Sequence, residues 1–265
     1  MKHVSVLKDE TINALNIKED GIYVDCTLGY AGHSSAILKR LKKGKLFAFD
    51  QDAEARNYSE NVLGKISGNF EIIPSNFVNL KEELNKRGIT EVDGITFDLG
   101  VSSPQLDDAT RGFSFHQDSK LDMRMDKSSK LSAYEVVNEY SFNDLVRIIK
   151  DYGEEKYAKE IARAIELKRP IETTLELANI ISDAVPFKYK RNTHPARRTF
   201  QAIRIEVNKE LDVLPKAIND AIDMLSVGGV IAVITFHSLE DKIVKDIFSK
   251  RSKEDNMVKN LPVVP

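Results

Sequence analysis

The segment from Tyr23 to Ser34, with the sequence YVDCTLGYAGHS, constrains the fold more than any other part of the chain. A short apolar run is followed by small residues and then by a helical pattern, which predicts a strand, a tight turn and a helix. The next apolar run, from Leu46 to Phe49, ends at Asp50, roughly the separation at which such sites place a ribose-binding carboxylate. Together the two features predict an α/β site for an adenosine-bearing cofactor.

Composition limits the classes of partner. Lys and Arg total 39 against 41 Asp and Glu, so any nucleic-acid surface must be local. Cys26 is the only cysteine, which excludes a disulfide within the chain and indicates a buried apolar residue. The longest apolar run, Val230 to Ile234, is far too short to span a membrane. We therefore expect a soluble cytoplasmic protein.

Strand and helix patterns alternate through the first hundred residues, which predicts a parallel sheet with crossover helices. The predicted strands are Gly21–Thr27, Lys45–Asp50, Phe70–Pro74 and Gly94–Leu99. The helices between them are predicted near Ser34–Leu41, Ala53–Leu63 and Leu80–Lys86. Ligands bind at the carboxyl ends of such strands, where Gly29, Asp50, Ser75 and Asp98 fall.

The alternation stops after Pro104, and apolar residues at helical spacing from Ser132 to Val185 predict an inserted helical domain. A long helix over residues 199–225 then precedes a buried strand from Val230 to Phe236, and a charged helix capped by Ser238 follows. We expect a discontinuous sheet domain of residues 1–106 and 199–265, with residues 107–198 forming the insert.

The turn at residues 29–32 indicates which cofactor binds. Gly29 and Gly32 lack the three-glycine spacing of pyrophosphate loops, which disfavours an NAD-linked dehydrogenase. S-adenosylmethionine needs only close backbone approach and a carboxylate such as Asp50. Each residue also has a purely structural explanation: the glycines could form a tight turn, and Asp50 could cap the helix starting near Asp52. In combination they favour the site.

Asp98 ends the fourth predicted strand, and a bent loop over residues 99–105 follows it. Methyl transfer to an exocyclic amine needs a hydrogen-bond acceptor, because the nitrogen lone pair is otherwise delocalised into the base. Asp98, or the loop carbonyls of Ser102, Ser103 and Pro104, could supply that acceptor and align the reacting atoms. The alternative for the Ser-Ser-Pro sequence is a turn or helix start.

Several ordered blocks carry a family resemblance over nearly the whole chain: DLGVSSPQLD (98–107), RGFSF (111–115), LDMRMD (121–126), HPARRTFQAIR (194–204) and FHSLED (236–241). The sequence resembles the bacterial small-subunit ribosomal RNA cytosine-N4 methyltransferases, the RsmH or MraW family. The resemblance implies a class I, Rossmann-like methyltransferase fold with an inserted helical domain. It also implies S-adenosyl-L-methionine as the methyl donor and N4 of a cytidine in the decoding centre as the acceptor.

Carried over position by position, the resemblance places the cofactor contacts at Ala31, Gly32, His33, Asp50, Phe77, Asp98 and Gln105. Asp98 and the loop residues Ser102, Ser103 and Pro104 then lie nearest the reacting nitrogen. The partner is small-subunit ribosomal RNA or the assembled small subunit. The oligomeric state stays open, a dimer included. No group of His, Cys and carboxylate residues has a recognisable metal spacing, so no metal is required.

Aromatic and basic residues alternate over residues 187–198, as in surfaces that bind single-stranded RNA. Arg111 and Phe113, beyond the loop, could support a base flipped out of its stack. The alternative for these two is packing between domains, with the arginine paired to a carboxylate. The candidate substrate contacts are Arg111, Phe113, His194, Arg197, Arg198 and His237.

Two departures from the family pattern bear on activity. Ala31 stands where the family usually has glycine, and alanine would be strained if the backbone there needs a positive φ. The chain also stops before a basic segment with an Asn-Pro-Arg motif that family members usually carry. The alternative function is therefore a ribosome-assembly factor that binds RNA and cofactor without turnover.

Overall fold

The computed structural model describes residues 5–191 and 194–253. Its five strands are β1 (Ile22–Asp25), β2 (Lys45–Phe49), β3 (Phe70–Ile73), β4 (Val92–Asp98) and β5 (Leu225–Ile234). They form one sheet in the order β3-β2-β1-β4-β5, and every neighbouring pair is parallel. The alternating pattern predicts such a parallel sheet, and the Rossmann-like fold class that the resemblance implies is confirmed.

Two apolar cores cover the faces of the sheet. The helices that pack around it are α1 (Lys8–Ala14), α2 (Gly32–Leu38), α3 (Ala53–Gly64), α4 (Leu80–Lys86), α11 (Glu210–Asp223) and α12 (Ser238–Arg251). On one face Phe47 and Phe97 pack with Leu214 of α11, and on the other Leu46 packs with Ile37 of α2. Burial on both faces explains why the strands are continuous apolar runs.

A third core belongs to the helical part of the chain. The helices that contribute to it are α6 (Ala133–Glu139), α7 (Phe142–Asp151), α8 (Ala158–Lys168), α9 (Thr174–Ala184) and α10 (Ala196–Asn208). The short helix α5 (Ser103–Asp107) precedes them in the chain. Leu145 and Ile161 are fully buried in this core, and Phe200 and Ile203 of α10 pack with them. Helix α10 therefore contributes its apolar face to the helical core, although it extends past residue 199.

The prediction of one long helix over residues 199–225 is wrong. The structure has two helices, α10 and α11, separated at Lys209, whose φ of 53° places it in the left-handed region. Backbone in that region ends a right-handed helix. The strand predicted from Val230 to Phe236 instead runs from Leu225 to Ile234, so Phe236 lies beyond the sheet.

The predicted cap of the last helix also needs correction. His237, not Ser238, is the N-cap of α12, and its Nδ1 accepts a hydrogen bond from the Glu240 N–H. Ser238 is the first helical residue. Among residues 5–191 and 194–253, no helix combines the length and apolar character needed to cross a bilayer. Residues 254–265 of the predicted sheet domain, and Asn192 and Thr193 of the predicted RNA-binding segment, lie outside the described residues.

Candidate functional site

A cleft of about 930 Å³ opens at the carboxyl ends of the strands. Gly32 beyond β1, Asp50 beyond β2 and Asp98 at the end of β4 all line it. The helical part closes its other side with Phe113, Phe200 and neighbouring residues. Residues far apart in sequence therefore share one cavity, of a size common for small-molecule sites.

The turn after β1 is shaped by a buried carboxylate. Asp25 accepts hydrogen bonds from the Thr27 N–H at 3.1 Å and from the Ser34 hydroxyl at 2.6 Å, which ties the end of β1 to helix α2. Between these contacts Gly29 and Ala31 both have positive φ, 48° and 63°. The conformation at Ala31 is the one that favours glycine, so the predicted strain at this position is present.

Asp50 connects this turn to the next strand. Its two carboxylate oxygens accept hydrogen bonds from the backbone N–H groups of Gly29 and Asp52, each at 2.8 Å. Burial raises the pKa of Asp50 to about 6, although these two N–H donors act in the opposite direction. Each carboxylate oxygen can accept more than one hydrogen bond, so the group can still bind the hydroxyls of a ligand. The helix cap itself is Asp52, which accepts from the Glu54 N–H.

Asp98 and His33 face each other across the mouths of β4 and β1. The Asp98 Oδ2 atom lies 3.6 Å from His33 Nδ1, and the Asp98 N–H donates to Thr27 Oγ1 at 2.6 Å. His33 is buried, with 4% of its side chain exposed. Its Nε2 atom has no hydrogen-bond partner among the described residues. A buried imidazole nitrogen that lines a cleft without a partner indicates room for a polar ligand there.

The loop after Asp98 is held by a capping box. Ser102 is the N-cap of α5: its hydroxyl accepts from the Gln105 N–H, and its N–H donates to Gln105 Oε1 at 3.0 Å. The Gln105 amide also donates to Asp52 at 2.9 Å. Ser103 and Pro104 line the cleft in the first turn of this helix. The turn or helix-start interpretation of Ser-Ser-Pro is therefore confirmed, and it positions these residues in the cleft.

Phe77 lies in a short 3-10 helix after β3 and lines the far end of the cleft. Its ring packs edge-on against Phe97, with centroids 5.6 Å apart. Asn76 precedes it and donates to Gln51 at 3.0 Å, which ties the β3 loop to the residue after Asp50. Phe77 is thus partly a core residue and partly a wall of the cleft.

These residues fit S-adenosylmethionine on structural grounds. Asp50 offers a carboxylate at the end of β2, Phe77 offers an apolar surface, and the turn at residues 29–32 presents backbone close to the cavity. His33 Nε2 is the buried polar atom without a partner at the same place. Ala31 is only 1% exposed, and its side chain does not line the cleft. Its contribution to the site is the left-handed backbone conformation of the turn.

The predicted substrate contacts are only partly brought together. Phe113, Arg197 and His237 line the cleft. Arg111 does not line it: the side chain is 2% exposed and its guanidinium donates to Asp52 at 2.7 Å. Arg111 therefore packs between structural elements and pairs with a carboxylate, which is the alternative given for it above.

The two remaining predicted contacts lie outside the cleft lining. His194 stacks on Phe115, which does line the cleft, with ring centroids 4.5 Å apart. Burial lowers the pKa of His194, and the neighbouring His116 lowers it further. Arg198 is exposed and donates to the backbone oxygen of Glu154 at 2.6 Å. Both residues therefore lie next to the lining, His194 through Phe115 and Arg198 through its chain neighbour Arg197.

Tertiary packing creates a charged cluster that sequence spacing does not reveal. Ligand atoms of Glu210, His237 and Glu240 lie within 4.8 Å of one another, a geometry compatible with a metal ion. Arg204, however, donates to both oxygens of Glu210 at 2.8 Å and supplies a positive charge there. Glu240 also accepts from the Phe236 N–H at 2.9 Å. The arrangement is accounted for as an ion-pair network.

Sequence reasoning missed two residues of this site. Asp52 is 3% exposed at its side chain and receives both Arg111 and Gln105. Its helix-capping position was visible in the sequence, but its distant partners were not. Phe236 lines the cleft with about half of its surface exposed. Its place directly after the apolar run of β5 is the signal that could have identified it.

Comparisons with known proteins identify relatives of this chain. The Ribosomal RNA small subunit methyltransferase H of Exiguobacterium sibiricum is 58% identical over 268 residues, covering 100% of this chain and 86% of the relative. Two solved structures also match. NSun6 from Pyrococcus horikoshii, crystallised with SFG, is 14% identical with a TM-score of 0.45, covering 98% of this chain and 45% of that chain. A Clostridium thermocellum protein provisionally described as an rRNA methylase is 12% identical with a TM-score of 0.45, covering 97% and 87%.

The family match extends over the whole sequence. Residues 1–265 match the MraW methylase family, the one that the ordered motifs resemble. The 58% identical relative matches along the full chain as well. The chain therefore belongs to the MraW methylase family, and it is a methyltransferase whose methyl donor is S-adenosyl-L-methionine.

Proposed function

We propose that this enzyme transfers the methyl group to N4 of a cytidine in small-subunit ribosomal RNA. The observation that carries the proposal is the convergence of Gly32, Asp50 and Asp98 on one cleft. The 58% identical relative, named for methylation of small-subunit ribosomal RNA, supports the substrate class. A reaction on this substrate takes place in the cytoplasm, where ribosomes are assembled.

The cofactor half of the cleft is formed by the ends of β1, β2 and β3. In this proposal Asp50 accepts the ribose hydroxyls and Phe77 packs on the adenine ring, while the turn at residues 29–32 contacts the donor through its backbone. Gln105 holds the loop that follows Asp98, through its capping hydrogen bonds with Ser102. When bound, S-adenosylmethionine supplies a methyl group on a positively charged sulfur, which is already a strong electrophile.

Asp98 acts on the acceptor amine. Its carboxylate accepts one amino hydrogen, which localises the nitrogen lone pair and directs it at the methyl group. The nitrogen–carbon bond forms as the carbon–sulfur bond breaks, and the proton leaving the nitrogen passes to Asp98 and then to water. Thr27 fixes the Asp98 backbone, and His33 lies beside its carboxylate at 3.6 Å.

In this proposal the Ser102–Pro104 loop positions the reacting groups and does not act as the hydrogen-bond acceptor. The carbonyl oxygens of Ser102 and Pro104 already accept hydrogen bonds from the backbone N–H groups of Leu106 and Asp108. These hydrogen bonds hold the loop in a helical turn, and the exposed Ser103 lines the cleft. Of the two acceptors that the sequence left open, Asp98 fits the reaction better, because its carboxylate is charged and lies at the strand end.

The helical insert of residues 107–198 recognises RNA in this proposal. Phe113 and Arg197 line the cleft, and His194 and Arg198 lie next to its lining residues Phe115 and Arg197. Arginines at such a surface neutralise phosphates, and aromatic rings stack on unpaired bases. Arg111 supports this surface from beneath, through its buried pair with Asp52.

Methyl transfer to undermethylated small subunits tests the proposal. Purified enzyme is incubated with methyl-labelled S-adenosylmethionine and either assembled subunits or free RNA, and the RNA is digested to nucleosides. We expect label in N4-methylcytidine, absent when Asp98 is replaced by alanine. Cofactor binding by calorimetry serves as the control for a folded site. A sample that binds the cofactor and transfers no methyl group would instead support a non-catalytic assembly factor.

A further inference from the structure

Phe236 is a large aromatic side chain that stands exposed in the cleft. It is 53% exposed, although it follows a strand whose last residue, Ile234, is buried. Exposed apolar surface that lines a groove is typical of a ligand-binding site. The location of Phe236 in the cleft, together with its exposure, therefore points to contact with a ligand.

The other aromatic rings that line the cleft either pack against a second ring or are buried. Phe77 packs against Phe97, and Phe115 packs between His194 and Phe200. Tyr58 is 52% exposed but pairs with Tyr30, with centroids 4.9 Å apart, whereas Phe49 and Phe113 are 0% and 6% exposed. Phe236, in contrast, contacts no second aromatic ring among the described residues.

The position of Phe236 relative to Asp98 is set by the sheet. Asp98 is in register with Ile234 on the neighbouring strand, and the Leu99 N–H donates to the Ile234 oxygen at 3.1 Å. A carbon built at the Cβ position of Gly100 would lie 3.6 Å from Cδ2 of Phe236. The ring therefore lies beside the loop that directly follows Asp98.

The order of the strands then separates two halves of the cleft. Asp50 follows β2 and Asp98 ends β4, so the cofactor extends from the β2 side toward β4. An acceptor nitrogen must approach the methyl group in line with the breaking bond, which means from beyond Asp98. The next strand in that direction is β5, and Phe236 follows it.

The backbone of Phe236 is anchored. Its N–H donates to Oε2 of Glu240 at 2.9 Å, and the Glu240 side chain is 3% exposed. Burial alone would raise the pKa of Glu240, but the neighbouring His237 imidazole and the hydrogen bond from the Phe236 N–H lower it overall. An ionised buried carboxylate thus holds the backbone while the ring stays uncovered. A fixed, exposed ring suits stacking on a planar ligand.

We propose that Phe236 is the stacking surface for the target base and so determines how the acceptor cytosine is held against Asp98. This inference rests on the proposed function. The base leaves its stack in the RNA and covers the ring, which replaces the lost base stacking. Asp98 then receives the amino group at the edge of the same base.

Three substitutions at Phe236 distinguish stacking of a base on an aromatic ring from contact with any large apolar side chain. Loss of one base–aromatic stack predicts that Phe236→Ala lowers kcat/KM for small subunits by about 10- to 100-fold. We expect the kcat/KM of Phe236→Leu to be close to that of the alanine variant, and the kcat/KM of Phe236→Tyr to be close to that of wild type. Cofactor affinity, measured by calorimetry, and Tm remain unchanged in all three. Wild-type activity in Phe236→Ala or Phe236→Leu would overturn the proposal.

A fluorescence experiment tests the contact without turnover. The chain contains no tryptophan, so Phe236→Trp introduces a single indole reporter. We expect its fluorescence to be quenched when small subunits bind, because a base stacks on the indole. Val227→Trp is the matched control, since Val227 lies fully exposed near the other end of the same strand. Equal quenching of both variants would overturn the proposal.

The two proposals fail differently. Absence of methyl transfer by the wild-type enzyme overturns the proposed function, whatever Phe236 does. Normal transfer by wild type, combined with no loss in Phe236→Ala, overturns the role of Phe236 alone.

Discussion

Arg111 donates to Asp52 at 2.7 Å, and the two side chains are only 2% and 3% exposed. The arginine follows helix α5, whereas the aspartate caps helix α3, which packs around the sheet. Gln105 donates to the same carboxylate at 2.9 Å, and Arg111 also donates to the Arg124 oxygen. Burial would raise the pKa of Asp52, but these hydrogen bonds lower it overall. This pair attaches the loop beyond Asp98 to the cofactor half of the site.

Arg111→Ala therefore removes a buried charge partner and leaves Asp52 uncompensated. We expect the free energy of unfolding to fall by about 3–5 kcal/mol, as for other broken buried pairs. Urea denaturation measures it. Lys245→Ala is the matched control, because Lys245 pairs with Asp241 on an exposed helix face, where a pair contributes about 1 kcal/mol or less. A similar loss in both variants would contradict the structural role of Arg111.

Cofactor affinity should depend on pH through Asp50. Burial raises the pKa of Asp50 to about 6, so the carboxylate that we propose accepts the ribose hydroxyls is protonated at lower pH. We expect the affinity for S-adenosylmethionine to fall as the pH drops through about 6, measured by calorimetry. Asp50→Asn should bind weakly at every pH, without this dependence. An unchanged wild-type affinity below pH 6 would exclude a role for Asp50 ionisation.

The same titration affects stability with the opposite sign. Because the folded-state pKa lies above the ordinary 3.8, the native state takes up the proton more readily than the unfolded chain. This group's contribution to the free energy of unfolding therefore falls as the pH rises from about 4 to about 6. In the cofactor-free enzyme, Asp50→Asn removes this decrease, which denaturation at several pH values can detect.

Asp98→Asn should affect the chemical step. The amide is similar in size, but it lacks the negative charge that, in the proposed mechanism, localises the amine lone pair and receives its proton. We expect kcat to fall by about 100- to 1000-fold, the range seen when one preorganised electrostatic contact is lost. Single-turnover methyl transfer measures it. Asp241→Asn, on an exposed face of α12, is the control that should keep full activity. Near wild-type kcat in Asp98→Asn would refute the assigned role.

Ala31 provides a test of backbone strain. Its φ of 63° and its 1% exposure leave little tolerance for a β-branched side chain. Ala31→Val should reduce the free energy of unfolding by about 1–3 kcal/mol, the usual cost of such strain. Ala31→Gly should change it little, because relief of strain offsets the lost methyl contact. Equal stability of the valine variant would show that the turn can adopt another conformation.

Residues at strand ends could be predicted from the sequence. Gly32, Asp50 and Asp98 each follow an apolar run, and parallel strands have their carboxyl ends at one edge. Their convergence therefore needed only the strand pattern. Helix α4 was predicted with its observed bounds, because its apolar residues recur at helical spacing between clear turns.

The break at Lys209 could not be predicted in this way. No glycine or proline marks it, and the left-handed conformation appears where α10 joins the helical core and α11 returns to the sheet. The position of His237 as the cap has a similar origin. His237 and Ser238 are both polar and both stand at the start of α12. The path of the chain after β5 decides which of the two side chains accepts a hydrogen bond from the first turn of the helix.

The sequence by itself determined the α/β class, the cofactor edge of the sheet and the family. Tertiary structure decided that Arg111 is buried against Asp52, 59 residues away, and that Phe236 stands uncovered beside the loop after Asp98. The physical reason is the range of the forces involved. Apolar periodicity and strand direction are local properties of the chain, whereas the pairing of a charge or the exposure of a ring depends on packing between distant elements.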